Sequence, residues 1–446
     1  MAWELSMAEK TVRIAIVGFG TVGSGVAKII LEDADYIAAK TGVRLQLAKV
    51  VDVDTKTKRK VTLPKGVLTD NLDSVLNDKS IDIGIELIGG TKAAKEIQLK
   101  MLAAGKNVVT ANKALLAKYG SELFAAAHKA DRCIAFEASC AGGIPIISAM
   151  RTGLAANKIQ GIYGIVNGTC NYILSNMSKK NMPFSEALKQ AQEKGYAEAD
   201  PTLDINGADT AHKLAILASM AFGYEITAAD ISVEGIENID IADIQYGKEM
   251  GYTLKLLAIG QRVNGGRIFL RVHPSFISSE SALARVDGPF NAVNVFGHAV
   301  GGTLFYGRGA GMMPTASAVV ADIIETAIGN SGRLFKHLKL EPRKKIAKYI
   351  GKIDQLASRF YIKLKVIDKP GVFAQIGNIL AKNQISISGI LQHEDINAKG
   401  IVPAIVITHI TEQKKITKAL TAMSKLAAVK EKPVCIRIVD IPEDKD

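Results

Sequence analysis

The first apolar run along the chain, residues 11–18 (TVRIAIVG), has strand length and is rich in β-branched residues. It leads directly into Gly18-Phe19-Gly20-Thr21-Val22-Gly23, after which Val26, Ile29 and Ile30 repeat at helical spacing. Strand-like and helix-like segments then alternate. Residues 43–54 and 81–90 read as strands, 92–104 as a helix closed by Gly105, 107–113 as a strand with its exit, and 133–139 as a strand following another helix. Such alternation predicts a doubly wound α/β sheet, here over residues 10–142. Ligands of these sheets bind beyond the carboxyl ends of the strands, where Asp52, Gly89, Gly90 and Lys113 fall.

The texture then changes. Residues 143–307 mix longer helices with strands at 158–167, 233–239, 267–274 and 291–297, an α+β pattern expected to form a catalytic and dimerisation domain. The stretch 307–324 (GRGAGMMPTASAVVADII) is a glycine-rich turn followed by a helix, and residues 308–330 are expected to pack back on the first domain. Residues 331–358 read as a basic linker. From 359 to 440 the order β-α-β-β-α-β predicts a ferredoxin-like unit.

Two short patterns carry chemistry. In GFGTVG the first glycine permits a tight turn and the second lets a pyrophosphate approach the backbone. The third allows close helix–strand packing, and the phosphates sit on the helix N-terminus. The second pattern is residues 195–213, GYAEADPTLDINGADTAHK, which sets Glu198, Asp200, Asp204 and Asp209 ahead of Lys213. From Asp209 onward the apolar residues Ala211, Leu214, Ala215, Leu217 and Ala218 predict a helix, so Asp209 and Lys213 share a face. A carboxylate beside an ammonium suits a small zwitterionic substrate. The alternative is an ordinary ion pair on a solvated helix. His212, between them, reads as a structural histidine, and Asp200 and Asp204 as either helix caps or solvent-facing acids.

Composition narrows the range. A chain of 446 residues with 22% charged residues and no apolar run of membrane-spanning length has room for several globular domains. The net charge of +12 is concentrated at Lys56, Lys58, Arg59 and Lys60 and over residues 333–352, with almost no aromatic interleaving. It reads as solvated basic surface rather than a nucleic-acid interface. The start of the chain has no secretory pattern, and Cys133, Cys140, Cys170 and Cys435 have neither CxxC nor metal-ligand spacing. Reduced thiols in a cytoplasmic protein are expected.

Taken in order, the motifs at 18–23 (GFGTVG), 86–90 (ELIGG), 110–117 (TANKALLA), 136–147 (FEASCAGGIPII), 166–174 (VNGTCNYIL), 195–218 and 307–316 resemble the monofunctional homoserine dehydrogenases. DKPGVFAQIGN at 368–378 resembles an ACT regulatory domain. The resemblance implies reduction of L-aspartate 4-semialdehyde to L-homoserine by NADP or NAD, in threonine, methionine and isoleucine biosynthesis. Hydride delivered to an aldehyde leaves an alkoxide, so the site needs a cation and a proton source, and Lys213 supplies both. The family pattern places Lys113 at the nicotinamide and the reacting oxygen, and Glu198 and Asp209 on the substrate's amino and hydroxyl groups. Cofactor contacts implied are Gly18, Phe19, Gly20, Thr21, Val22, Gly23, Lys113, Gly195 and a glycine of the GAG turn, Gly309 or Gly311. It also implies a sodium ion on the backbone carbonyls of Glu137, Cys140, Gly142 and Ile144, a plain turn being the alternative. The ACT unit implies feedback by an amino acid, threonine, bound between paired copies in a homodimer or homotetramer. Cofactor preference stays open, because Asp52 favours NAD whereas Lys56, Lys58 and Arg59 suit a 2′-phosphate.

Overall fold

β1 (Lys10–Val17) lies in parallel between β2 (Val43–Val51) and β4 (Ile83–Glu86), with β3 (Leu68–Thr69) outside β2. β5 (Asn107–Thr110) and β6 (Ile134–Ala135) extend the other side, giving the order β3-β2-β1-β4-β5-β6. This is the doubly wound sheet the alternation predicts. In this computed structural model residues 10–263, 266–337, 349–393 and 400–442 are described. Ile14, Ile16, Val50, Ile83 and Ile85 are fully or nearly fully buried at the sheet's centre, each burial contributing roughly 2 kcal/mol. The helix Thr21–Glu32 packs on the helix Met312–Ala327, and a side chain on Gly25 would meet Ala316 and Met312 at 3.0 Å.

The chain forms two compact units, and contacts rather than chain order define them. The first comprises Met1–Gly168, Asp209–Ile231 and Pro289–Ala347. Besides the parallel sheet it holds the antiparallel strands Ile159–Ile165, Phe290–Gly297 and Gly301–Arg308, and the helices Lys113–Lys129 and Ala208–Phe222. The second unit comprises Thr169–Ala208, Ser232–Gly288 and Lys348–Asp446. Its strands Tyr252–Arg262 and Ile268–Ser278 pair antiparallel along their whole length. The ferredoxin-like unit follows: Ala357–Ile367 is flanked by Ile401–Thr408 and Val434–Ile438, with Ile387–Leu391 outside Ile401–Thr408 and the helices Val372–Lys382 and Gln413–Met423 packed together. Val434–Ile438 also pairs, in parallel, with Ile268–Ser278.

Three expectations need amendment. The strand expected over 233–239 is only Ser232–Val233, because Ile236 N then bonds to Ile205 O and Gly235 packs so tightly there that a Cβ would lie 2.3 Å from that oxygen. The strand Tyr252–Arg262 is not evident from the sequence, since Lys255 interrupts its apolar pattern. That side chain is buried, its ammonium donating to Val286 O at 2.6 Å. Of the expected linker, residues 331–337 belong to the helix Asn330–His337, while 338–348, with Arg343, Lys344, Lys345 and Lys348, lie outside the described residues.

Candidate active site

The glycine turn after β1 has the geometry its spacing implies. Gly18 has φ +103°, and a Cβ there would sit 2.6 Å from the Leu87 carbonyl. A Cβ on Gly23 would sit 2.1 Å from Gly18 O, which fixes the helix against the strand. Gly20, by contrast, faces open space and caps a helix whose first N–H groups meet no side-chain cap. Phe19 is buried, so only its backbone is presented, whereas Thr21 is exposed and Val22 half-buried. Just past β2, Asp52 accepts from Phe19 N and Asp54 N. Arg59 donates from Nε to Phe19 O at 2.9 Å and pairs with Asp54 at 3.2 Å. Sequence spacing alone did not tie Arg59 to the glycine turn.

The second cluster forms where the helices Lys113–Lys129 and Ala208–Phe222 begin. Lys113 follows the cap residue Asn112, whose side chain accepts from Leu115 N. Lys213 Nζ lies 2.6 Å from Asp209 Oδ2, and Lys113 Nζ lies 3.1 Å from Asp209 Oδ1. One carboxylate thus holds two ammonium groups, one on each oxygen. Lys213 Nζ also donates to Val166 O at 2.7 Å, and Asn167 Nδ2 to Asp209 Oδ2 at 2.9 Å. Neither Val166 nor Asn167 stood out as a site residue in the sequence, although both lie at the start of the VNGTCNYIL motif. Burial pushes the Asp209 carboxyl up, but the Lys213 and Lys113 charges and their hydrogen bonds hold it well below the usual carboxylate range. The His212 pKa is lowered as well, its imidazolium disfavoured chiefly by burial and also by the two lysines, with Asp209 opposing them.

The loop from Glu137 to Ile144 packs beside the glycine-rich turn at 307–311. Ala141 and Gly142 both have left-handed φ, 54° and 57°, and a Cβ on Gly142 would lie 2.1 Å from Gly309 O. Gly309 itself is closed in by the Asn291 side chain, whereas Gly311, with φ +126°, is exposed ahead of the helix Met312–Ala327. The Cys140 thiol donates to Lys213 O, and burial pushes its pKa up to about 12, so it is an inert packing group. The carbonyls of Glu137 and Ile144 each accept one backbone N–H, leaving a second lone pair. The Glu137 carboxylate instead accepts from Ile147 N and Ser148 N, and Asp322 accepts from Glu137 N.

In the second unit, Gly195 has φ +72° after the helix Phe184–Glu193, and Glu198 is exposed, its carbonyl accepting from Gln192. Asp200 accepts from Thr202 N and Oγ1 and is a local turn cap. Among the described residues no group of three or more His, Cys, Asp or Glu is placed to bind a metal, and no single helix is long and apolar enough to cross a membrane.

Family models cover both units. Residues 18–137 match the homoserine dehydrogenase NAD binding domain, 145–324 match homoserine dehydrogenase, and 360–428 match the ACT domain. The homoserine dehydrogenase of Neisseria gonorrhoeae is 42% identical over 95% of this chain and 98% of its own length. The Helicobacter pylori protein of the same name is 43% identical over 96% and 99%. The chain belongs to the homoserine dehydrogenase family. A crystal structure of a homoserine dehydrogenase from Thiobacillus denitrificans superposes with a TM-score of 0.88 at 40% identity, covering 97% of this chain and 99% of that one. The reaction of this chain is therefore a nicotinamide-dependent oxidoreduction, and residues 360–428 form an ACT domain.

Proposed function

We propose that this chain interconverts L-aspartate 4-semialdehyde and L-homoserine with Lys213 as the general acid and base. The observation that carries the reading is the single carboxylate of Asp209 shared by Lys213 and Lys113. The bound nicotinamide supplies or accepts the hydride. Lys213, pinned by Asp209 and Val166 O, is oriented to neutralise the developing alkoxide and pass it a proton. Lys113 adds a second positive charge beside the reacting oxygen, and Asp209 orients both ammonium groups. Lys213→Ala is expected to lower kcat about a thousandfold while leaving cofactor affinity within about threefold. Turnover of aspartate semialdehyde unchanged by that substitution would remove the role.

Within the first unit the Gly18–Gly23 turn, with Lys113 and Gly311, would hold the cofactor, and NADP is the proposed form. Asp52 has its carboxylate engaged by two backbone N–H groups, whereas the Arg59 guanidinium is anchored beside the turn. A hyperthermophilic archaeal homoserine dehydrogenase, 28% identical with a TM-score of 0.59, is described in complex with NADPH. Arg59→Ala should raise KM for NADPH about tenfold more than KM for NADH. Equal effects on both cofactors would count against a 2′-phosphate contact.

The carbonyls of Glu137, Cys140, Gly142 and Ile144 are proposed to hold sodium, a hard cation suited to oxygen ligands. The ACT domain is proposed to bind threonine in a homodimer or homotetramer, its Val372–Lys382 helix starting after Gly371 at φ +88°. Titrations of activity with sodium chloride and with threonine check these two readings. A cytoplasmic location accords with four free cysteines.

A further inference from the structure

Glu86 is the last residue of β4, and its fully buried carboxylate is used by no step proposed above. Thr110, the last residue of β5, faces it in register and is equally buried. Three neutral donors meet the carboxylate. Ile88 N donates to Oε1 at 2.9 Å, while Gln98 Nε2 and Thr110 Oγ1 each donate to Oε2 at 2.9 Å. Among the described residues no lysine, arginine or histidine pairs with it. An acid buried without a cation is costly, and these hydrogen bonds are what offset it.

The hydrogen bonds lead to Lys113. A backbone N–H can only donate, and Asn112 N donates to Thr110 Oγ1 at 3.0 Å. Thr110 turns its own proton the other way, onto Glu86. Asn112, anchored from behind, caps the helix Lys113–Lys129 through its Oδ1 and donates from Nδ2 to Gly90 O at 2.7 Å. Lys113 is the first residue of that helix. Asp209 fixes the ammonium head of its side chain at 3.1 Å, and Asn112 fixes the root. Through Ile88 N the same carboxylate also holds the exit of β4, where Gly89 and Gly90 turn with left-handed φ of 73° and 67°.

We propose that Glu86 is a positioning residue for the reaction: through Thr110 and Asn112 it sets where the helix begins and so where the Lys113 ammonium stands. Glu86 is fully enclosed and meets no substrate itself. A reacting group misplaced by about 1 Å can lose roughly a hundredfold in rate, so a network that fixes the first residue of a helix reaches turnover without touching it. The inference rests on the role proposed for Lys113.

Thr110→Val is nearly isosteric, removes the hydroxyl and leaves Asn112 N without its acceptor. Its kcat is expected to fall about tenfold with KM for NADPH within about twofold, and Thr110→Ser should restore kcat to within about threefold of wild type. Glu86→Gln sets a donor where Thr110 now donates. Gln98 Oε1, buried without a partner, can rotate to receive that donor, so the packing is kept. This variant should lower kcat by at least about threefold, and carries the same comparison should Thr110→Val fail to fold. With Lys113→Ala already in place, neither substitution should change kcat by more than about twofold, because both act through the lysine. An undiminished loss in that background, or kcat at the wild-type value in both single variants, overturns the proposal. Hydrogen exchange over residues 111–116, read by mass spectrometry, requires no turnover. Exchange at least about tenfold faster is expected in Thr110→Val, and an unchanged rate overturns the positioning. Full turnover in Lys113→Ala alone overturns the reading of Lys113 and the catalytic part of this proposal with it, while the exchange rates still decide whether the network places the start of the helix.

Discussion

Asp209 and Asp322 are both buried carboxylates in the same unit, and their surroundings drive them in opposite directions. Asp209 is held below the usual range by two ammonium groups, so its contribution to stability is complete above about pH 4 and is lost as the pH falls below that. Asp322 is fully enclosed on the helix Met312–Ala327. Burial, with Glu137 adding repulsion, raises it from 3.8 to about 7. The sign therefore reverses: between about pH 4 and 7 the unfolded chain releases a proton that the folded chain keeps, and stability falls as the pH rises. Asp322→Asn retains an oxygen to accept from Glu137 N, and should raise stability at pH 8 by on the order of 3 kcal/mol while flattening that slope. Denaturant unfolding of both proteins at pH 5 and 8 checks this; parallel pH dependences would contradict it. The Asp209–Lys213 pair was legible because a four-residue spacing on a helix is written in side chains. Val166 was not, because it acts through a carbonyl that every residue possesses.

The glycine turn separates two roles within one element. Gly23 is a packing glycine, with no room for a methyl group against Gly18 O, while a Cβ on Gly20 would meet nothing within 4 Å among the described residues. Gly23→Ala must push the helix off the strand, and is expected to cost about 2 kcal/mol of stability as well as cofactor affinity. Gly20→Ala should leave the melting temperature within about 2 °C yet weaken cofactor binding at least tenfold, because its methyl occupies the approach proposed for the pyrophosphate. Melting curves with and without NADPH distinguish the two; identical behaviour would assign both glycines to packing. This element was readable because an apolar strand, a fixed glycine spacing and a helical repeat agree. The strand Tyr252–Arg262 was not, since Lys255 at its centre looks solvent-facing until Val286 O and Asn171 are found to receive its ammonium. The expected strand beyond Val233 failed for a related reason: its apolar residues are buried by a loop bonded to Ile205.

Within the second unit, the ACT fold is built in rather than appended. Buried Asp243, on the helix Ile241–Glu249, pairs with Lys363 of the first ACT strand at 2.9 Å and accepts from Tyr361. Its carboxyl is raised by burial even though the Lys363 charge opposes this. Asp243→Ala leaves a buried ammonium with, among the described residues, only Asp240, at 3.7 Å, and should destabilise the unit by about 3 kcal/mol. Calorimetry should then show the lower melting temperature in the transition that includes the ACT strands; a loss confined to other segments would refute the link. The β-α-β-β-α-β order of this domain was plain in the sequence, but its attachment was not, because strand pairing between distant segments leaves no local periodicity. Val434–Ile438 lies between Ala357–Ile367 and Ile268–Ser278, hydrogen-bonded to both. A single ribbon near the carboxyl end thus serves as the seam of two modules, so exchanging this regulatory cassette for another by splicing at its amino-terminal junction alone would leave a hem unstitched: the graft must carry its own closing strand, in matching register.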